Sequence, residues 1–226
     1  MRKSMLFLLS LVIGNLLLSI CYAHQPRIVY KTQISQANPI IVTKPEISQA
    51  FYAELKGQPE YYSIGSDKEF NLYVRILSPK MTGAKKDFSV EIIRDANAIA
   101  MLDGLGSVWT EFYEPFVGDD YWQGPEFEKH QPGGEYIIKV SSPDNRGKYV
   151  LVVGRAEAFP LNESLKLFVS LPQLKHYFGK SGFTAFLSLV GLFWLILIIV
   201  LSLMIFGVVW VVKKFKKKRQ YAKFLP

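Results

Sequence analysis

The sequence predicts an all-β sandwich that is followed by one C-terminal transmembrane helix. Short segments in which apolar and polar side chains alternate recur between clusters of turn residues, a pattern typical of half-buried strands. Before residue 183 no helical stripe extends over more than a few turns. Residues 183–212 form a run of 30 residues without a charge, and basic residues follow it directly. With 226 residues, the chain has room for one ordinary domain before this run.

The formal charge of +8 is concentrated at the two ends of the chain. All 19 acidic residues lie between residues 46 and 163, and residues 24–182 hold 18 basic residues, so this central part has a net charge of −1. The other basic residues flank two apolar runs. Positive charge beside an apolar run sets the orientation of a membrane span. The charge therefore predicts membrane topology and not a nucleic-acid-binding surface.

Residues 1–23 are predicted to be a secretory signal peptide. Two basic residues precede an apolar run, and the small residues Cys21 and Ala23 stand at the −3 and −1 positions of a cleavage site. The mature chain would begin at His24 and contain no cysteine, which excludes a disulfide scaffold and favours a bacterial protein. In an alternative, Cys21 becomes the acylated first residue of a lipoprotein. That alternative requires a small residue before the cysteine, where the chain has the bulky Ile20.

Eight strands are predicted in the exported domain, residues 24–156. They cover residues 27–31, 40–43, 50–55, 61–64, 69–77, 87–94, 134–141 and 147–154. The period of two is clearest in residues 70–76 and in the last two segments, and one face of each strand is expected to be buried. The turn-forming residues 143–147 lie between those last two segments, so we expect them to form a hairpin.

These segments resemble a known family. The residues that carry the resemblance are Ser48, Gln49, Ala50, Phe51, Glu54, Leu55, Gly57, Tyr61, Tyr62, Ile64, Pro132, Gly133, Gly134, Glu135, Tyr136, Ile138, Val140, Gly147, Tyr149, Leu151 and Val153. Over residues 45–154 the chain resembles bacterial pre-peptidase C-terminal domains, which are jelly-roll-like sandwiches of exported proteins. It departs from them at Glu60, where these domains often have aspartate. It also has an insertion in the middle of the domain. The resemblance implies a jelly-roll-like β-sandwich. It implies no particular ligand, because such folds serve adhesion, secretion and ligand contact alike.

Residues 109–128 are the candidate binding site. They include seven aromatic and six acidic residues, and their glycines and prolines predict an irregular loop. Aromatic rings beside carboxylates are typical of clefts that bind sugars or peptides, so an envelope protein or a glycan is the expected partner. The candidate residues are Trp109, Tyr113, Asp119, Asp120, Tyr121 and Trp122. In the alternative, several rings close the end of the sandwich and the acids face water.

Residues 157–182 are predicted to be a juxtamembrane stalk. Two prolines punctuate a series of apolar and aromatic residues, with lysines between them, and this pattern suits a short amphipathic piece at the level of the lipid headgroups. A last strand followed by a loop is the alternative for the same residues.

Residues 183–212 are predicted to be the transmembrane helix. As a helix they would extend roughly 45 Å, against a hydrocarbon core of about 30 Å. Tilt, or an unwound start at residues 183–188, would absorb the excess length. The basic residues 213–226 are expected to stay in the cytoplasm, so that residues 24–182 face outward. Without an acidic or basic residue inside it, the helix has no group for transport or proton relay and is expected to be an anchor.

Two histidines are the candidate metal ligands. As a mature N-terminus, His24 would offer its amine and its ring to copper, as in a histidine brace, with His130 as a further ligand. Asp119 and Asp120 lack the alternate spacing of a calcium loop. The mature chain also lacks a cysteine, a glycine-flanked serine elbow and enough histidines for a catalytic triad. We therefore expect no catalysis and, apart from the copper alternative, no cofactor.

Together these patterns predict a membrane-anchored extracytoplasmic module with a binding or scaffold role at the cell envelope. Its expected partners are the lipid bilayer and, through residues 109–128, an envelope protein or a glycan, but no nucleic acid. Copper handling at His24 is one alternative. A cell-wall sorting signal is another, because Leu171, Pro172 and Gln173 precede the apolar run, although threonine and glycine do not follow.

Overall fold

The computed structural model describes residues 24–30, 34–115, 117–158 and 160–222. The predicted signal peptide, residues 1–23, lies outside the described residues, and so does the end of the predicted tail. The described part contains eleven strands in two sheets, followed by two α-helices and one 3₁₀ helix. Side chains of both sheets share one buried apolar cluster, so the sheets pack as a β-sandwich.

The strands and helices follow one another in a simple order. The strands are β1 Gln25–Ile28, β2 Ile40–Val42, β3 Gln49–Lys56, β4 Glu60–Ser66, β5 Phe70–Pro79, β6 Ser89–Arg94, β7 Asn97–Leu102, β8 Thr110–Glu114, β9 Asp119–Gln131, β10 Gly134–Ser141 and β11 Arg146–Val153. The helices are α1 Leu161–Tyr177, a 3₁₀ helix Gly182–Leu187, and α2 Leu189–Ala222. One sheet has the strand order β1-β3-β11-β5-β9-β8, and the other has the order β2-β4-β10-β6-β7.

Alternate residues of the strands build the core between the sheets. Leu72 and Val74 of β5 and Ile138 and Val140 of β10 are fully buried there, as the period of two predicts. The polar residue Asn71, next to Leu72 in the chain, is exposed. The burial of these residues confirms for β5 and β10 the prediction that one face of the strand is apolar and inward.

The predicted hairpin between the last two strands is wrong. β10 pairs with β4 and β6 in the five-stranded sheet, whereas β11 pairs with β3 and β5 in the six-stranded sheet. The turn lies where it was predicted, with Asn145 at a φ of 49°, but it carries the chain from one sheet to the other. Alternation along a strand indicates which face is buried and not which strand is the neighbour, so the pattern fits both arrangements.

The irregular loop predicted for residues 109–128 is also wrong. β8 and β9 form an antiparallel hairpin at one end of the six-stranded sheet. Gly124 and Pro125 do not break β9, because the register between β5 and β9 shifts between Arg75 and Leu77. A bulge at such a shift accommodates a residue that has no N–H to donate.

A layer of helices covers the outer face of the six-stranded sheet. In α1, Leu167 and Leu174 share a second buried cluster with Tyr52 and Val150 of the sheet. Residues 157–182 therefore differ from the stalk that we expected, because their amphipathic piece is a 17-residue helix packed onto the sandwich. The alternative of a last strand in these residues is wrong as well.

The 3₁₀ helix and α2 continue from this layer. The unwound start expected for residues 183–188 corresponds to the 3₁₀ helix, which ends where Ser188 takes an extended conformation. In α2, the segment Leu189–Lys216 contains an 18-residue window with a mean hydropathy of 3.2, and none of that window is buried in the structure. By length and composition this helix is able to cross a membrane.

We expect Gly154→Ala to lower the free energy of unfolding by at least about 3 kcal/mol. Gly154 has a φ of +79°, which alone costs about 1–3 kcal/mol for a residue with a side chain, and an added Cβ would lie 2.4 Å from the carbonyl oxygen of Ile47. Gly83→Ala is the matched control, because Gly83 has a φ of +77° and open space around it. Urea denaturation in detergent, followed by tryptophan fluorescence, measures both. Equal losses in the two variants would contradict the expected backbone clash.

Candidate functional site

Successive side chains of β9 point to opposite faces of the sheet, so some candidate residues of the 109–128 stretch are buried and others are exposed. Asp119 and Tyr121 point toward the helical layer and are buried, whereas Asp120 is exposed and Trp122 is partly exposed. Tyr113 of β8 is 56% exposed. Trp109 packs against the core between the sheets, and its indole N–H donates to the carbonyl oxygen of Gly104 at 2.8 Å.

Asp119 is the centre of a buried ion cluster. Its Oδ2 accepts a hydrogen bond from Lys175 Nζ at 2.9 Å, and its Oδ1 accepts one from Lys180 Nζ at 2.9 Å. The side chains of Asp119 and Lys175 are 0% and 1% exposed. Lys175 also donates to the carbonyl oxygens of Val117 and Gly118 in the β8–β9 turn. The cluster therefore joins this turn to the end of α1, and Asp119 has a structural role instead of the predicted ligand contact.

Tyr121 is part of the same buried layer. Its hydroxyl lies 2.9 Å from that of Tyr52, and burial raises the pKa of both phenols well above the usual value near 10. The carboxylates of Glu114 and Asp119 raise these pKa values further. Both phenols are therefore neutral at physiological pH, and the hydroxyl of Tyr121 bonds within the protein.

The exposed part of the stretch forms a small surface of aromatic and acidic side chains, beside which two lysines lie. The Lys80 and Lys86 ammonium groups lie 5.3 Å and 4.1 Å from the centre of the Trp122 ring. Lys80 also forms an ion pair with Glu111 at 2.7 Å. We call Glu111, Tyr113, Asp120 and Trp122 the hairpin surface. It is the portion of the predicted binding site that a partner in solution would reach.

Most other acids of the stretch are paired with cations. Glu126 forms an ion pair with Arg75 and accepts a hydrogen bond from the Tyr73 hydroxyl at 2.9 Å. Glu128 pairs with Arg155. Hydrolysis of a glycoside would need two carboxylates placed as an acid and a base around the scissile bond. Both acids are therefore engaged with cations at the protein surface, and the sequence pattern did not indicate either partner.

The two candidate metal ligands have different surroundings. His24 Nδ1 is hydrogen-bonded to Ser48 Oγ, whereas His130 contacts Asn71 and Glu69. β3, β11 and β5 lie between β1, which follows His24, and β9, which carries His130. Among the described residues, no group of three or more His, Cys, Asp or Glu side chains is arranged to hold a metal ion. The structure therefore does not bring the predicted copper ligands together.

Sequence reasoning missed the lysines that complete the buried cluster. Lys175 follows Leu174 on the buried face of α1, where a charge requires a partner. A cation within an apolar helical stripe is the sequence signal that could have indicated a buried ion pair. Its partner, Asp119, is 56 residues away in the chain, so no local pattern identifies it.

A cavity of about 480 Å³ lies away from the hairpin surface, where β1, β3 and the end of α1 meet. Tyr52, Lys148 and Tyr177 are among its lining residues. Tyr177 forms one wall, with its hydroxyl 2.6 Å from the carbonyl oxygen of Tyr149. No described residue of the 109–128 stretch lines this cavity.

We expect the protein to lose stability between pH 6.5 and pH 4 because of His24. Burial, and secondarily the charge of Arg75, lowers the pKa of His24 from 6.5 to about 4. In this window the unfolded chain binds the additional proton, so the free energy of unfolding falls as the pH falls, by up to roughly 3 kcal/mol. His24→Gln should flatten this slope. His130→Gln, at an exposed histidine, is the control, and urea denaturation at a series of pH values measures both. An unchanged slope in His24→Gln would show that other groups cause the pH dependence.

Comparisons with known proteins give only distant likeness, and it is limited to solved structures. No family model matches the chain, and no curated protein matches it. Among solved structures the chain is similar to the pre-peptidase C-terminal domain of a collagenase from Bacillus anthracis, at 10% sequence identity. The match covers 58% of this chain and 95% of that chain, with a TM-score of 0.31. A likeness at this level does not show the family, and the β-sandwich is established by the two sheets of this structure itself.

Proposed function

We propose that this protein is an exported, membrane-anchored module with a binding or scaffold role at a bacterial cell envelope. The sandwich lies outside, α2 spans the membrane, and the basic tail lies in the cytoplasm. The observation that carries the proposal is the most apolar window of α2, of which the folded part buries none. A helix of this composition exposed to water would be strongly unfavourable, whereas a lipid bilayer accommodates it.

The strand order supports the jelly-roll-like interpretation. The chain crosses between the sheets at each step from β3 to β6, and again from β9 to β11. β1 and β2 add to the sheets as parallel strands beside β3 and β4. Residues 24–156 and α1 together form the exported domain in this proposal.

The pairing of acidic residues in the 109–128 stretch favours a binding role over catalysis. Asp119, Glu126 and Glu128 are engaged in ion pairs that join elements of the fold. On the hairpin surface, Tyr113 and Asp120 are exposed, whereas Glu111 is paired with Lys80 and Trp122 lies beside two lysines. We propose this surface as the contact for an envelope protein or a glycan.

The sorting-signal alternative receives no support from the fold. Leu171, Pro172 and Gln173 lie within α1, and Leu171 is buried against the sheet. A transpeptidase would need this segment in an accessible extended form, so we keep the membrane anchor as the proposal.

The anchor and its orientation are tested by extraction and thiol labelling. We expect the protein to stay in the membrane fraction after washing with alkaline carbonate. In a Cys21→Ser background, Val108→Cys should react with a membrane-impermeant maleimide in spheroplasts, and Lys216→Cys should react only after permeabilisation. Release by carbonate would contradict the anchor, and the reverse labelling pattern would contradict the orientation.

The binding role is tested by photo-crosslinking in cells. A crosslinking amino acid at Tyr113 should capture a defined partner, and one at Met101, which is similarly exposed on β7, should not. Loss of the same product in Trp122→Ala would support the hairpin surface. Equal products from Tyr113 and Met101 would count against it.

A further inference from the structure

α1 carries two apolar stripes. One faces the sheet, and its members are buried in the second cluster. The other consists of Leu165, Phe168 and Val169, which are 49%, 37% and 71% exposed. We call these three residues the outer stripe. Their spacing of three and four places them on one side of the helix, so α1 exposes a continuous apolar strip opposite the sheet.

Contacts with α2 set the position of the outer stripe along the axis of α2. The rings of Phe168 and Trp194 pack with their centres 4.8 Å apart. Val190, one turn before Trp194, is buried in the second cluster. Leu165 and Val169 lie no more than three residues, or about 4.5 Å along the helix, from Phe168. The whole outer stripe is therefore close to the level of Trp194, whatever the tilt of α1.

The length of the span places Trp194 at the outer boundary of the hydrocarbon. Residues 195–212 have a helical length of about 27 Å, close to a hydrocarbon core of about 30 Å. Trp210 is near the other end, and tryptophan is enriched at both interfaces. The apolar run is longer than a span requires because its first part, including Ala185 and Val190, packs on the sandwich.

We propose that α1 is an interfacial helix whose outer stripe inserts into the headgroup and acyl boundary of the outer leaflet. Its partner is the lipid surface, since the stripe is continuous with a helix that itself requires lipid. The inference rests on the proposed function and adds to it a defined orientation. The sandwich is held against the membrane through α1 and does not move freely on a linker.

The test uses the full-length protein in lipid vesicles, with Cys21→Ser and an environment-sensitive fluorophore on one introduced cysteine. At Val169→Cys we expect blue-shifted emission and stronger quenching by brominated lipid than by aqueous iodide. Val108→Cys is the matched control, because this valine is 86% exposed but lies in the β7–β8 connection, and we expect iodide to quench it more. Ile205→Cys, within α2, reports the span itself.

Each outcome has a distinct meaning. Iodide quenching at Val169 with lipid quenching at Ile205 would overturn the inference and leave the anchor intact. Iodide quenching at Ile205 would overturn the proposed anchor and the inference with it. Shielding of Val169 from both quenchers would show that protein, from the same chain or from a second copy, covers the outer stripe, and would also overturn the inference.

Discussion

A chain shortened to residues 24–157 is expected not to fold, whereas a chain of residues 24–181 is expected to fold and to stay soluble. The shorter chain lacks α1, so Tyr52, Val150 and Val152 of the six-stranded sheet would face water. Burial of each large apolar side chain contributes about 1.5–3 kcal/mol. The loss over the second cluster is therefore comparable with the whole stability of a domain, about 5–15 kcal/mol.

Expression, gel filtration and circular dichroism of the two shortened chains measure this difference. A chain of residues 24–181 with Leu167→Asp and Leu174→Asp is the control, because it keeps the length but cannot pack α1, and it should behave like the shorter chain. A folded, monomeric product from residues 24–157 would contradict the second cluster and restore the stalk interpretation.

Asp119→Asn is expected to lower the free energy of unfolding by about 3–5 kcal/mol. The substitution leaves the Lys175 ammonium buried without its carboxylate, and an uncompensated buried charge is costly. Asp120→Asn is the matched control, since Asp120 is the next residue and is exposed, and we expect a change within about 0.5 kcal/mol. Urea denaturation of residues 24–181 measures both variants.

The double variant Asp119→Asn with Lys175→Met tests whether the cost comes from the unpaired charge. Removing both buried charges should recover much of the stability lost in Asp119→Asn, because the desolvated ammonium is then absent. A double variant that is less stable than Asp119→Asn would contradict the buried ion pair as the source of the loss. Lys180, whose side chain is 36% exposed, is able to turn toward water in either variant.

Local sequence patterns correctly predicted those features that depend on neighbouring residues of one strand. The burial of Leu72 and Val74 was predicted from a period of two, because successive side chains of any strand point to opposite faces. The same pattern did not reveal that β11 is covered on both faces, which depends on α1. It also failed at Gly124 and Pro125, because a bulge opposite Ile76 is a property of the pairing with β5.

In the candidate site, too, some features follow from the local pattern and others depend on distant parts of the chain. Alternation within β9 would have separated Asp119 and Tyr121 from Asp120 and Trp122 if the strand had been recognised. The partner of Asp119 was beyond reach, because Lys175 belongs to a helix that we expected to be a stalk. Which acids are paired and which remain exposed depends on contacts between distant elements.

By itself the sequence determined the apolar helix, the basic end that follows it, the sandwich class and most of the inward-facing residues. These properties follow from hydropathy and period, which act over a few neighbouring residues. Only the tertiary structure decided that the last two strands belong to different sheets and that α1 is part of the folded domain. Strand neighbours and buried ion pairs arise from contacts between residues far apart in the chain, and many arrangements of such contacts satisfy the same local pattern.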